Sequence, residues 1–239
     1  MAGQIPQEKL QQIEEEVLAL GNLVEGLLIE AADLLHGNDL DALEQLGDEE
    51  RQARKKRLAI EMGCLSLIAS RRPLDGELRP LVAMVEIAAE LERLAGHARR
   101  MARANYLTAD PRLRKPLASL HRQAAEVQSL LDGALDAFAR RDAGAARTVA
   151  AGTQQVESLH QQVRRELLVV MKSKPRIANQ AIFLSRSAYN LRRAAERVAG
   201  ICEWVVFTVE GSLDATSPLP EIPSHQVGEP PKTLQDQYS

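Results

Sequence analysis

Aromatic residues are nearly missing from this sequence. Phe, Tyr and Trp together make up 3% of 239 residues. The space is taken instead by Ala, Leu, Glu, Arg and Gln, which lose little side-chain entropy on a helix. The first implication is an all-α protein. Cysteine is equally scarce: Cys64 and Cys202 each sit in an apolar, helix-like run. Two such residues exclude a disulfide framework and read as buried small side chains in a reducing cytosol. No run approaches the ~20 apolar residues that a membrane span requires. The N-terminus also lacks the charged-then-apolar pattern of a signal peptide. A soluble, cytoplasmic chain is expected. Thirty basic residues stand against 33 acidic ones, a net charge of −3. The whole chain is therefore no electrostatic trap for nucleic acid.

What is present is helical periodicity. A first helix is expected over Gln7 to His36, where Leu10, Ile13, Val17, Leu20, Val24, Leu27, Ala31 and Leu34 alternate steps of three and four. Asn38 or Asp39 can cap a second helix, running from Leu40 to Ser70. Its middle, Asp48 to Arg57, is almost wholly charged and reads as a solvated face. Pro73 stops it. A third helix, Asp75 to Tyr106, carries Leu81, Met84, Ala88, Leu91, Ala95, Ala98 and Ala102 as one stripe. Leu78, Val82, Val85, Ala89, Glu92 and Gly96 form a second stripe beside it. Gly96 costs about 1 kcal/mol in a helix interior relative to Ala, which close packing against a neighbour would explain.

After a linker with two prolines, Thr108 to Pro116, the pattern begins again. Leu27-Leu28, Ala31, Asp33, Asp39 and Ala42 match Leu130-Leu131, Ala134, Asp136, Asp142 and Ala145 at one constant offset. Helices are expected over Leu117 to Arg140, Ala143 to Ser173 and Ile177 to Val209. The chain thus reads as two tandem three-helix bundles related by an internal repeat, residues 1–107 and 108–211. From Ser212 on, five prolines and few apolar residues indicate a disordered tail, 212–239.

Several phrases go beyond periodicity. Ala69-Ser70-Arg71-Arg72-Pro73 with Glu77-Leu78-Arg79, then Glu90-Leu91-Glu92-Arg93-Leu94-Ala95-Gly96-His97-Ala98, and finally Glu203 to Gly211 resemble the PhoU family of phosphate-uptake regulators. The resemblance covers Gln7 to Gly211. It implies a six-helix adaptor between the ATPase subunit of a phosphate ABC transporter and a phosphate-sensing histidine kinase, working as a homodimer. Some relatives accompany sodium-coupled phosphate carriers, which leaves a second partner class open. Metal-binding members carry Glu-x-x-x-Asp on each third helix, joined by acids of the second helix in an oxygen-rich site for iron or zinc. Here the corresponding pairs are Glu92 with Gly96 and Arg192 with Glu196. The resemblance leaves only Glu50, Glu92, Glu157 and Glu196 as residual ligand candidates, and the expectation is no metal or other cofactor. Arg93 and Arg193 match the family's arginine in both repeats. With Arg79 they are the candidates for partner docking, against the alternative that they brace helices through salt bridges.

No nucleophile–base constellation and no Gly-rich phosphate loop occurs, so no enzyme is expected. A carboxylate-bridged di-metal enzyme would need Glu-x-x-His on two facing helices, and the chain does not carry that pair. The basic residues of Arg51 to Arg57, with Arg99, Arg100 and Arg103, lack the interleaved aromatics of a nucleic-acid site.

Overall fold

A computed structural model describes residues 5–36, 39–71, 73, 75–104 and 111–212. The helices are α1 (Gln7–Asp33), α2 (Leu40–Arg71), α3 (Asp75–Ala104), α4 (Arg114–Arg140), α5 (Ala143–Ser173) and α6 (Ala178–Glu210), with no strand among the described residues. Short 3₁₀ turns follow α1 and precede α4 and α6. The boundary expected at 107 and 108, Tyr106, and the tail beyond Ser212 lie outside the described residues.

Both repeats start their second helix with the same device. The Asp39 carboxylate accepts from the Ala42 amide at 3.0 Å, and Asp142 accepts from Ala145 at 2.9 Å. Each satisfies one of the amides left orphaned at a helix start. The second half of the proline linker is helical: α4 already begins at Arg114. Pro116 falls in its first turn, where a missing N–H costs no intrahelical bond.

α1, α3, α4 and α6 form the centre, packed as α1 on α3, α1 on α4, α3 on α6 and α4 on α6; α2 and α5 lie outside, each on the other two helices of its own repeat. Burial follows this arrangement. Val17, Leu20, Val24, Leu27 and Ala31 of α1 are wholly buried, whereas α2 buries only Leu46, Gly47, Ala53, Ile60 and Cys64. Each fully buried Leu or Val contributes about 1.5–3 kcal/mol of hydrophobic stabilisation. The two cysteines are buried on separate helices, and desolvation pushes both thiols up to about 12.

Close packing is set by glycines other than the one the sequence suggested. A Cβ on Gly21 would lie 2.6 Å from Leu135, one on Gly152 2.7 Å from Leu130, and one on Gly133 2.9 Å from Val149. These glycines admit side chains of α4 against α1 and interlock α4 with α5. At Gly96 a Cβ would meet only flexible side-chain ends, Arg100 Nη1 at 3.2 Å and Glu50 Oε1 at 3.4 Å. Helix–helix contact does not require that glycine.

The first stripe of α3 is buried throughout. The second is not the α6-facing one. Ala83, Ile87, Glu90, Leu94 and Met101 are buried, while Leu78, Val82, Val85, Ala89 and Glu92 are only half-covered. Polar Glu90 and His97 interrupt the apolar reading of the face that packs on α6.

Candidate functional site

α3 and α6 cross so that each presents the same positions to the other. Arg197 Nη1 donates to Glu90 Oε2 at 3.2 Å; at the mirrored place His97 Nδ1 lies 3.2 Å from Asn190 Oδ1. Asn190 also accepts from Arg100 Nε at 3.4 Å and donates its amide to the Arg186 carbonyl at 2.9 Å. That second bond settles which end of the amide faces His97: it is the oxygen, so the imidazole carries its proton on Nδ1. Burial, helped by the charges of Arg100, Arg197 and Arg193, outweighs the Asn190 bond and lowers His97 to about 4. The ring is neutral at physiological pH.

Arg93 and Arg193 flank this crossing. Arg93 Nη1 donates to the buried Glu90 at 2.5 Å while its side chain stays 54% exposed. Arg193 pairs with Glu196 and is 35% exposed. Each pair lies within one helix, Arg93 reaching the seam only through Glu90, and both arginines still face solvent. They share a cleft of about 520 Å³ with Glu50 and Glu92. Glu157 and Glu196 line a separate recess of about 180 Å³ with Arg192. Arg79 belongs to neither: its guanidinium lies against Gly211, the left-handed residue (φ 77°) that caps the C-terminus of α6. A cation there complements the helix dipole.

All four residual ligand candidates are engaged by guanidinium groups. Glu50 Oε2 accepts from Arg99 Nη1 at 2.5 Å. Glu92 lies 3.6 Å from Arg57 Nε and 3.9 Å from Arg54 Nε. Glu157 Oε2 accepts from Arg192 Nε at 2.6 Å, and Arg192 Nη2 reaches Glu196 at 3.3 Å. At Glu157, desolvation opposes ionisation, but hydrogen bonds from Arg192 and Gln161 outweigh it and leave the carboxyl below its ordinary value. The same contact holds Arg192 above its own. The repeats reach this neutralisation with opposite signs: α2 supplies Arg54 to Glu92 of α3, while α5 supplies Glu157 to Arg192 of α6. Among the described residues no three His, Cys, Asp or Glu side chains gather as a ligand set. The donors present do not fit an oxygen-rich metal cluster, because the carboxylate lone pairs already hold arginine.

One Glu-x-x-His spacing, Glu157 with His160 on α5, escapes the sequence reading. Glu157 is the residue that holds Arg192, and His160 is buried, its pKa lowered by desolvation. Glu90, Arg99 and Arg197 were also missed. Only the Glu90-x-x-Arg93 spacing could have pointed to one of them; the others meet their partners across helices.

The model of the PhoU domain matches residues 17–104 and again 120–205. The chain belongs to the PhoU family. Among proteins of this family, it is 27% identical over 203 residues to the phosphate-specific transport system accessory protein PhoU of Edwardsiella tarda, covering 85% of this chain and 84% of that one. It is 26% identical over 211 residues to the protein of the same name from Escherichia coli K12, covering 88% and 87%. The crystal structure of PhoU from Pseudomonas aeruginosa superposes with a TM-score of 0.80 at 26% identity, over 86% of this chain and 99% of that one. Two tandem PhoU domains thus account for the two three-helix units. No helix among the described residues is long and apolar enough to cross a membrane.

Proposed function

We propose that this protein is a non-enzymatic accessory of a phosphate-specific transport system. It docks on the transporter's ATPase subunit or on a phosphate-sensing histidine kinase, and restrains phosphate uptake and starvation signalling when phosphate is plentiful. The observation that carries this reading is the extent of the match: both repeats align with PhoU relatives that bear the accessory-protein name, over 85–88% of the chain. The half-exposed Arg93 and Arg193, beside the exposed charges of α2, supply the docking face. Arginine is prominent among the anchors of such interfaces, and truncating one typically costs ~2 kcal/mol or more. In this proposal the chain works as a cytoplasmic homodimer and without a bound metal, arginine having taken the cation's place beside each carboxylate.

The test is a pull-down of the purified ATPase subunit and the purified sensor kinase. Arg93→Ala with Arg193→Ala should weaken capture at least ~30-fold while the protein stays helical. Capture of neither partner by the wild-type chain would overturn the assignment. Unchanged capture alongside a lower melting temperature would confine the two arginines to bracing.

A further inference from the structure

The seam between α3 and α6 has two ends, and their charges differ. At one end Arg100, Arg103, Arg186 and Arg193 line a cleft of about 970 Å³ with Phe183 and Tyr189, and among the described residues no carboxylate lines it. Among the described residues only Arg193 of the four has an acidic partner; Arg100 bonds Asn190, and Arg103 and Arg186 make no ion pair there. At the other end of the seam the matching repeat positions are Gly200, Glu203 and Glu86, with Glu90 in place of Asn190. There the carboxylates crowd one another: burial and then the Glu90 charge raise Glu203 above its ordinary value. The fold therefore does not call for arginine at these positions. On the same two helices Arg93 is compensated by Glu90, Arg99 by Glu50 and Arg192 by Glu157.

Gly96 serves this end of the seam. A Cβ there would lie 3.2 Å from Arg100 Nη1, so glycine lets that guanidinium lie across α3 while its Nε is held by Asn190. Guanidinium forks match phosphate oxygens pairwise, and several in one concavity suit a chain of phosphates better than a single one. Tyr189 is 51% exposed on the same wall, where its ring can take a planar base by stacking. The volume lies at the upper end of the range typical of small-molecule clefts, ~300–1,000 Å³.

We propose that this cleft is a binding site for a polyphosphate chain, with Arg100, Arg103 and Arg186 on the phosphates and Tyr189 placed for the base of a nucleoside polyphosphate. Ligand binding here is independent of the partner docking proposed above: a chain that docks nothing would still hold the anion.

Calorimetric titration of the full chain with ATP, with inorganic tripolyphosphate and with orthophosphate tests it. Saturable binding of one ATP or one tripolyphosphate per chain is expected, with orthophosphate far weaker. The Tyr189 stack should make ATP the tighter by about 3–10-fold. Arg103→Glu with Arg186→Glu should lower both affinities at least ~30-fold without moving the thermal melt, since both side chains are exposed. Tyr189→Ala should weaken ATP alone. Arg51→Glu, on the outer helix, should change neither. Absence of saturable binding, or binding that the double reversal leaves intact, would overturn the site. Equal affinity for ATP and tripolyphosphate, insensitive to Tyr189→Ala, would overturn the placement of a base and assign the cleft to inorganic polyphosphate.

Discussion

If arginine has taken a cation's place between α5 and α6, then removing it should make room for one. The perturbation is Arg192→Glu. It deletes the 2.6 Å bond to Glu157 and the 3.3 Å contact with Glu196, and puts a third carboxylate between them. The three side chains are 39%, 42% and 35% exposed, so the two lost pairs contributed about 0.5–1 kcal/mol each. Like charges about 4 Å apart repel by ~1 kcal/mol in water and ~4 kcal/mol at an effective dielectric of 20. Exposure of a third or more places each new repulsion near the lower figure. The sum is a loss of about 3 kcal/mol, which for a chain of this length lowers the melting temperature by about 6–12 °C.

Acid should relieve that loss. Glu157 sits below its ordinary value of 4.5 in the wild type, so its contribution is present above that pH and fades as pH falls through the lowered value. In the variant the clustered carboxyls would be raised instead, and the penalty disappears once they protonate. The two melting curves should therefore converge below about pH 4.5. At neutral pH, Mn²⁺ or Zn²⁺ should restore most of the variant's loss, about 2.7 kcal/mol at a hundredfold excess over Kd. Thermal melts with and without metal, followed by elemental analysis after desalting, provide the readout. A variant as stable as the wild type, or a metal response of equal size in both, would refute the reasoning.

Gly21→Ala should destabilise by about 1–3 kcal/mol through overpacking against Leu135, measured in a urea titration, and the double variant with Leu135→Ala should recover part of it. His97, held at about 4, should show no imidazole titration by NMR down to about pH 5. Because its folded value lies below the unfolded one, its contribution to stability is present above about pH 6.5 and is lost as pH falls toward 4. Asn190→Asp should raise the His97 value by placing a carboxylate against Nδ1.

Much of this architecture was legible in the sequence because it depends on local chemistry. Helix formers, the three-and-four spacing of Ile13 to Ala31, and an Asp three residues before the amide it caps need no knowledge of the neighbours. The repeat was legible for the same reason, since matched phrases at one offset imply matched helices. The exchanged residues were legible too: Gly96 and Arg192 stand in the sequence where the resemblance calls for acids.

Pairing across helices was decided only by the tertiary structure. Nothing near Glu92 in sequence indicates Arg54 and Arg57, and nothing near Glu90 indicates Arg197. A side chain's partner on another helix depends on helix rotation and crossing, which burial of the whole core sets. The same holds for the α6-facing stripe of α3, whose polar Glu90 and His97 hide it from any hydrophobic count. It also holds for the glycines: Gly21 and Gly96 are alike in sequence, yet one yields to Leu135 and the other to the end of Arg100. The basic cleft is the last such case. Arg103 and Arg186 lie on different helices in different repeats, and only the crossing of α3 with α6 brings them to one wall.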